Sequence, residues 1–378
     1  MDVTLTAEQE AIQRRAREFL QRECPPAVVR QALEDPRQAR GNLWQQMAAL
    51  GWLGFSFPVD YGGANGSLVD LALLFEEIGR ALAPGPVLTS AVLGGQTVLA
   101  AGRADQKAAI LPKVASGELV LTVAQLEAEQ DRTPAGVQTT AHRDGDFWVL
   151  NGLKLFVPDA TLADLLIVAA RAGGEDGGIS LFLVEADTPG LEIRPMTTFS
   201  GERPGEVRFE NVRVPASAIL GNEGAGWSAL KRANDIATVM LCAEMVGGMQ
   251  AVLDMSVEYA KKRVQFGRPI GAFQAIQHKA VAMAIETAGA RFITYRAAWL
   301  VQHGLAADTD VAMAKAKCNR AYRLVTFEGH ETHGGIGWSV EYDLQLYLRR
   351  RLVDELLLGT TDEHLATIAA AIEAGTLP

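Results

Sequence analysis

Glu244 is the acid in this sequence whose setting points to chemistry. It stands between Ala243 and Met245 in the apolar stretch from Val239 to Gly248. An acid there is either desolvated, with a pKa raised toward that of a working base, or paired with an arginine from a neighbouring helix. Both readings stay open. Asp235, Asp354 and Glu355 are poorer candidates. Asp235 resembles a helix-start acid, and the other two adjoin the basic run Arg349-Arg350-Arg351, where ion pairing is the ordinary explanation. His333 precedes Gly334-Gly335-Ile336-Gly337, and a histidine beside glycines packs or caps more often than it catalyses. Cys24, Cys242 and Cys318 are far apart, odd in number and without a CxxC pair, so neither a disulfide framework nor a zinc knuckle is indicated.

These residues need elements to hold them. From Leu5 to about Gly117 the apolar residues recur at helical spacing. Thr6 and Gln9 read as an N-cap and its N3 partner, with Ile12, Ala16, Phe19 and Leu20 on one face. A second helix holds Trp44, Met47 and Leu50. The Gly- and Pro-rich stretch from Gly51 to Gly66 breaks the pattern before Leu68 to Ile78 resumes it. At Leu119 the texture changes to short β-branched and aromatic runs: Phe147 to Leu150 before a turn at Asn151-Gly152, Leu165 to Ala169, Ile179 to Val184, and Val207 to Phe209. From Trp227 long helical patterns return. The expected fold class is α+β and mostly α: an N-terminal helical domain (1–117), a middle antiparallel β domain (118–225) and a C-terminal four-helix bundle of four or five long helices (226–378).

The 378 residues, 48% of them hydrophobic, are enough for two or three domains with a sizeable core. A net charge of −10 and a pI near 5.2 argue against general affinity for nucleic-acid backbones, so any anionic ligand must be met by a local cluster. The opening run is charged throughout and lacks the apolar core of a secretory signal. No window approaches about 18 uncharged apolar residues, so no membrane span is expected. A cytoplasmic, reducing setting fits best.

Two segments carry a resemblance. The run Arg263-Val264-Gln265-Phe266-Gly267-Arg268-Pro269-Ile270-Gly271-Ala272-Phe273-Gln274 looks like the signature that acyl-CoA dehydrogenases carry between two bundle helices. His333-Gly334-Gly335-Ile336-Gly337, followed by Glu341-Tyr342 and Arg349, resembles that family's Gly-rich turn and final helices. Echoes run in order through the rest of the chain: Gly51-Trp52-Leu53-Gly54, Tyr61-Gly62-Gly63, Glu76-Glu77, Leu111-Pro112-Lys113, and Val207 to Pro215. The resemblance implies a homo- or hetero-tetramer, one FAD per active site, α,β-dehydrogenation of an acyl-CoA substrate, and an electron-transfer flavoprotein or similar acceptor. In the family's reaction a carboxylate removes a proton next to the thioester while the flavin accepts a hydride from the following carbon. The proton is weakly acidic, so the base must be desolvated and the carbonyl polarised. By resemblance, Arg263, Phe266 and Gln274 contact FAD, and Gly334 and Gly335 let the backbone approach it. In the family this half of the site is lent across the dimer. Phe156 and Thr360 complete the cofactor set. The plainer alternative is that Phe266 and Gln274 pack a loop and the two glycines cap a helix.

The departures from the family's pattern bear on catalysis. Family members place the base before a Gly-Thr near the C-terminus, and here Leu358 precedes Gly359-Thr360; the less usual position, on the first long bundle helix, is Ala237. Glu244 then becomes the candidate base, on one helical face with Ala237 and about 10 Å beyond it. The flavin run of the β domain reads Val123-Ala124-Gln125-Leu126-Glu127-Ala128-Glu129-Gln130-Asp131, and the family's Trp-Ile-Thr becomes Phe156-Val157-Pro158, whose proline has no amide hydrogen to offer. The half-site built for the chain's own flavin is altered, while the half lent to a neighbour keeps the pattern. The leading expectation is therefore a subunit of a hetero-oligomer, as among members acting on bulky side chains such as those of sterols. Its rivals are a homotetramer with Glu244 as base, a structural subunit without its own flavin, and a member with other flavin chemistry.

Overall fold

Helix formation begins where the sequence caps it. In the computed structural model, which describes residues 4–172 and 178–376, Thr6 Oγ1 accepts from the Gln9 amide and Gln9 Oε1 accepts from the Thr6 amide, opening α1 (Ala7–Glu23). There follow α2 (Pro26–Glu34), α3 (Asn42–Ala49), α4 (Leu68–Ala81), α5 (Gly95–Ala101) and α6 (Ala104–Ala115). Trp44 and Met47 are buried in α3, whereas Leu50 is its C-cap and is exposed. Val87–Gly94, which carried no local signal, is a π-helical run leading into α5.

Seven strands form one sheet: β1 (Leu121–Ala124), β2 (Thr140–Asp144), β3 (Phe147–Val157), β4 (Leu165–Ala172), β5 (Ile179–Glu185), β6 (Leu191–Pro195) and β7 (Gly205–Pro215). Their order is β1-β4-β2-β3-β7-β6, with β5 also on β4. The expected antiparallel pairing holds for β2 with β3, β3 with β7, β4 with β5 and β6 with β7, while β4 runs parallel to both β1 and β2. Asn151-Gly152 is not the turn that its composition suggested. β3 runs straight through it, because Asn151 lies opposite a bulge in β7 and its Oδ1 accepts from the Asn211 amide at 2.8 Å.

The remaining helices are α7 (Gly226–Lys262), α8 (Gln274–Gln302), α9 (Asp308–His333), α10 (Leu344–Asp354) and α11 (Thr361–Glu373), with a hairpin of β8 (Val264–Gln265) and β9 (Arg268–Pro269) between α7 and α8. The expectation that no segment is apolar enough to cross a membrane needs correcting. By length and composition α7 is, with a mean hydropathy of 1.7 in its best window, but 89% of that window is buried within the protein, as in a core helix.

The chain divides into two compact units. The described parts of Met1–Arg30, Ser67–Pro84 and Thr238–Pro378 make a helical unit; Gln31–Gly66 and Gly85–Ala237 make the unit built round the sheet. In the helical unit α4 and α7 cross backbone to backbone at two glycines: a Cβ at Gly79 would meet the Glu244 carbonyl oxygen at 1.9 Å, and one at Gly247 the Glu76 carbonyl oxygen at 1.8 Å. Beside this crossing Glu76 is buried against Arg291 and accepts from Tyr295 Oη at 2.6 Å, while Glu77 accepts from Arg17 at 2.7 Å. In the sheet unit the core is Trp148, Leu150, Val168, Phe182, Val207 and Phe209.

Candidate active site

Arg263 ends the α7 register. Its amide donates to the Tyr259 carbonyl and its own carbonyl accepts from the Ile270 amide, each at 2.8 Å. The hairpin that follows pairs Gln265 with Arg268, so its turn residues are Phe266 (φ 53°) and Gly267 (φ 78°). Positive φ at both is what a two-residue type I′ turn requires. This puts a phenylalanine in a conformation that costs energy, and leaves it 93% exposed. Phe273 supports the loop, edge-on to Phe266 at 6.2 Å and beneath the Arg268 guanidinium at 4.2 Å. The side chains of Arg263 and Gln274 are exposed and make no hydrogen bond or ion pair with the described residues.

The glycine turn is tied to the same place. One helical turn before Arg263, Tyr259 stacks on His333 at 4.4 Å, and His333 is the last residue of α9 before Gly334. Gly334 has φ 64° and ψ −144°, and a Cβ built on Gly334 or Gly335 would meet no atom within 4 Å. His330 and His333 donate through Nδ1 to the Thr326 and Gly329 carbonyls at 2.7 Å, while each Nε2 is buried without a partner among the described residues. Burial pulls both imidazoles below the ordinary histidine range.

The turn before α11 is equally constrained. Thr360 is the N-cap of α11, with Glu363 as its capping-box partner. Leu358 is 7% exposed with φ 58°, and Gly359 has φ 113°. The carbonyl of Leu358 bonds His364 Nε2 at 3.0 Å, and that of Gly359 accepts from Lys315 Nζ at 3.1 Å. Lys315 is fully buried and also donates to the Asp354 carbonyl and Asn319 Oδ1, each at 2.7 Å. It was missed in the sequence, where a lysine in the helical run of α9 reads as a surface residue.

Glu244 lies in α7, 5% exposed, with Oε1 3.6 Å from Arg350 Nη1 on α10. This is the ion pair that the sequence left open as one of two readings. Ala237 is fully buried. In the sheet unit Phe156 is 42% exposed with φ 52°.

FAD presents a diphosphate, polar adenosine edges and flat aromatic surfaces. In the helical unit Arg263 offers an uncommitted charged fork, Gln274 a carboxamide, Phe266 an exposed ring, and the Gly334-Gly335 turn open backbone; the sheet unit by itself offers the exposed ring of Phe156. The residues present fit the group.

Comparison with known proteins shows the family. The chain matches the acyl-CoA dehydrogenase N-terminal domain over residues 6–118, the middle domain over 127–212 and the C-terminal domain over 224–373. It is 34% identical over 379 aligned residues to the probable acyl-CoA dehydrogenase YngJ of Bacillus subtilis, covering 98% of this chain and 99% of that protein. Among solved structures it is similar to the Tcur3481-Tcur3483 steroid ACAD, with TM-score 0.87, 31% identity and coverage of 98% and 99%. It is also similar to the ChsE4-ChsE5 complex from Mycobacterium tuberculosis, with TM-score 0.90, 26% identity and full coverage of both chains.

Proposed function

The chain belongs to the acyl-CoA dehydrogenase family, and from that premise we propose that it works as one subunit of a hetero-oligomer, completing a neighbouring flavin site. It is an FAD-dependent oxidoreductase of the acyl-CoA dehydrogenase type. Bound FAD supplies the hydride acceptor for acyl-CoA oxidation. Arg263 holds the flavin diphosphate, Gln274 and the Gly334-Gly335 turn bond its polar edges, and Phe266 covers an aromatic face. The observation that carries this reading is the exposure of the array: Phe266 is held in a strained turn at 93% exposure, which suits a surface completed by another chain. The aliphatic residues at the two family base positions, Leu358 and Ala237, support a partner that supplies the base. Two structurally similar proteins are named as pairs, ChsE4-ChsE5 and Tcur3481-Tcur3483. An electron-transfer flavoprotein or similar acceptor reoxidises the complex, in the cytoplasm.

The test is flavin content after gel filtration, for the chain alone and co-expressed with the acyl-CoA dehydrogenase-like product of a neighbouring gene. The expected result is a colourless chain and a yellow complex, and Arg263→Ala should lower flavin retention by about ten- to a hundredfold with unchanged far-UV circular dichroism. A yellow homotetramer reduced by acyl-CoA, or unchanged retention in Arg263→Ala, would overturn it.

A second reading has one observation in its favour: Glu244 is a buried carboxylate on the helix that carries the less usual base position. In that reading Glu244 takes the proton from the carbon next to the thioester, after its carboxylate turns from Arg350.

A further inference from the structure

We propose that Lys154 is a positioning residue: held against Glu127, its side-chain nitrogen fixes the bulge of β3 that carries Phe156, and so sets the aromatic surface that the sheet unit offers to the flavin. The inference rests on the reading of Phe156 as a flavin contact.

The bulge is defined by register. Lys154 pairs with Val207 and Val157 with Gly205, so Leu155 and Phe156 together oppose Glu206 alone. The extra residue turns Phe156 to a positive φ and out to 42% exposure. Four bonds staple this segment to β1 and the chain that follows it. Lys154 Nζ donates to Glu127 Oε1 at 2.6 Å and to the Gln125 carbonyl at 3.4 Å; the Leu155 amide donates to the Leu126 carbonyl at 2.9 Å; and Thr122 Oγ1 donates to the Pro158 carbonyl at 2.6 Å. Glu127 is itself held by the Gln138 and Thr139 amides at 3.0 Å and by Thr139 Oγ1 at 2.8 Å. Gly152 makes room for that threonine, since a Cβ there would meet Thr139 Oγ1 at 2.5 Å.

A fully buried lysine is a costly way to hold two segments together. A buried ion pair is seldom more stable than an apolar pair of the same shape, so geometry is the better reason for this one. Burial brings the Lys154 ammonium down to about 8, against the pull of Glu127, the charged group that acts on it; the neighbours Gln125 and Thr139 are uncharged. This yields a signature that a passive core residue lacks. When the bulge opens, Lys154 reaches water and regains its ordinary affinity for protons. Between about pH 8 and the ordinary lysine range the open form binds more protons than the closed one, so opening becomes harder as pH rises.

The experiment is hydrogen exchange of the full-length chain at Leu155–Val157, corrected for intrinsic rates, at pH 7 and 9.5, with FAD retention of the co-expressed complex as a second readout. In the wild type, protection should rise about thirtyfold over that interval. Lys154→Met alone leaves a buried carboxylate unpaired and is open to misfolding, so the deciding variant is Lys154→Met with Glu127→Gln. That variant should keep the wild-type circular dichroism, lose protection at Leu155–Val157, show no pH dependence there, and retain FAD less well. Wild-type protection in the double variant, or a flat pH profile in the wild type, would overturn the clamp. Lost protection with unchanged FAD retention would instead overturn the flavin role of Phe156.

Discussion

At the residue scale the open question is the base. Leu358 and Ala237, which the sequence reading sets at the family's base positions, are buried hydrocarbon, and Glu244 is a buried carboxylate paired with Arg350 at 3.6 Å. To act as a base the carboxylate must turn from this ion pair toward the substrate. The discriminating experiment is single-turnover bleaching of the flavin by an acyl-CoA, with the partner present. If Glu244 is the base, Glu244→Gln bleaches slower by several orders of magnitude with flavin content unchanged. Equal rates assign the base to the partner and leave Glu244 as the buried half of an ion pair. The sequence could show that the acid was unusual. It could not show the arginine, because Glu244 and Arg350 meet only when α7 and α10 pack.

At the element scale, glycines decide how the helices meet. Gly247 faces the Glu76 carbonyl and Gly79 the Glu244 carbonyl, so α4 and α7 approach without side chains between them. Gly247→Ala cannot be absorbed by a rotamer change, because the obstructing atom is backbone. It should cost about 3 kcal/mol, at the upper end of overpacking penalties, as read from the urea midpoint with an unchanged m-value. An unaltered midpoint would show that the helices can slide apart freely. Helix starts were legible locally: Thr6 with Gln9 is a capping box in both sequence and structure. Gly247 was not, since inside a helix a crossing glycine has the same local spelling as a merely tolerated one. The Asn151-Gly152 pair shows the opposite error, where turn composition is overridden by strand pairing with β7.

For the whole molecule, the buried histidines give stability a defined pH dependence. Burial holds His330 and His333 below the ordinary histidine range, so on acidification the unfolded chain takes up protons first. Their contribution is complete above the ordinary range and is lost as pH falls through it toward the lowered values. The melting temperature should therefore fall by several degrees between pH 7.5 and 5.5, and a His330→Phe, His333→Phe double variant should flatten that slope; an equally steep slope in the variant would place the acid sensitivity elsewhere. By itself the sequence determined the mostly helical architecture with a middle sheet, the family, and the FAD-dependent chemistry, because these rest on caps, periodicity and motifs of neighbouring residues. The tertiary structure alone decided which charges are buried and what they hold. Lys154 meets Glu127 across 27 positions, and Lys315 meets the Asp354 and Gly359 carbonyls across 39 and 44. A lysine's burial and its partner are properties of packed elements, and no local pattern encodes them.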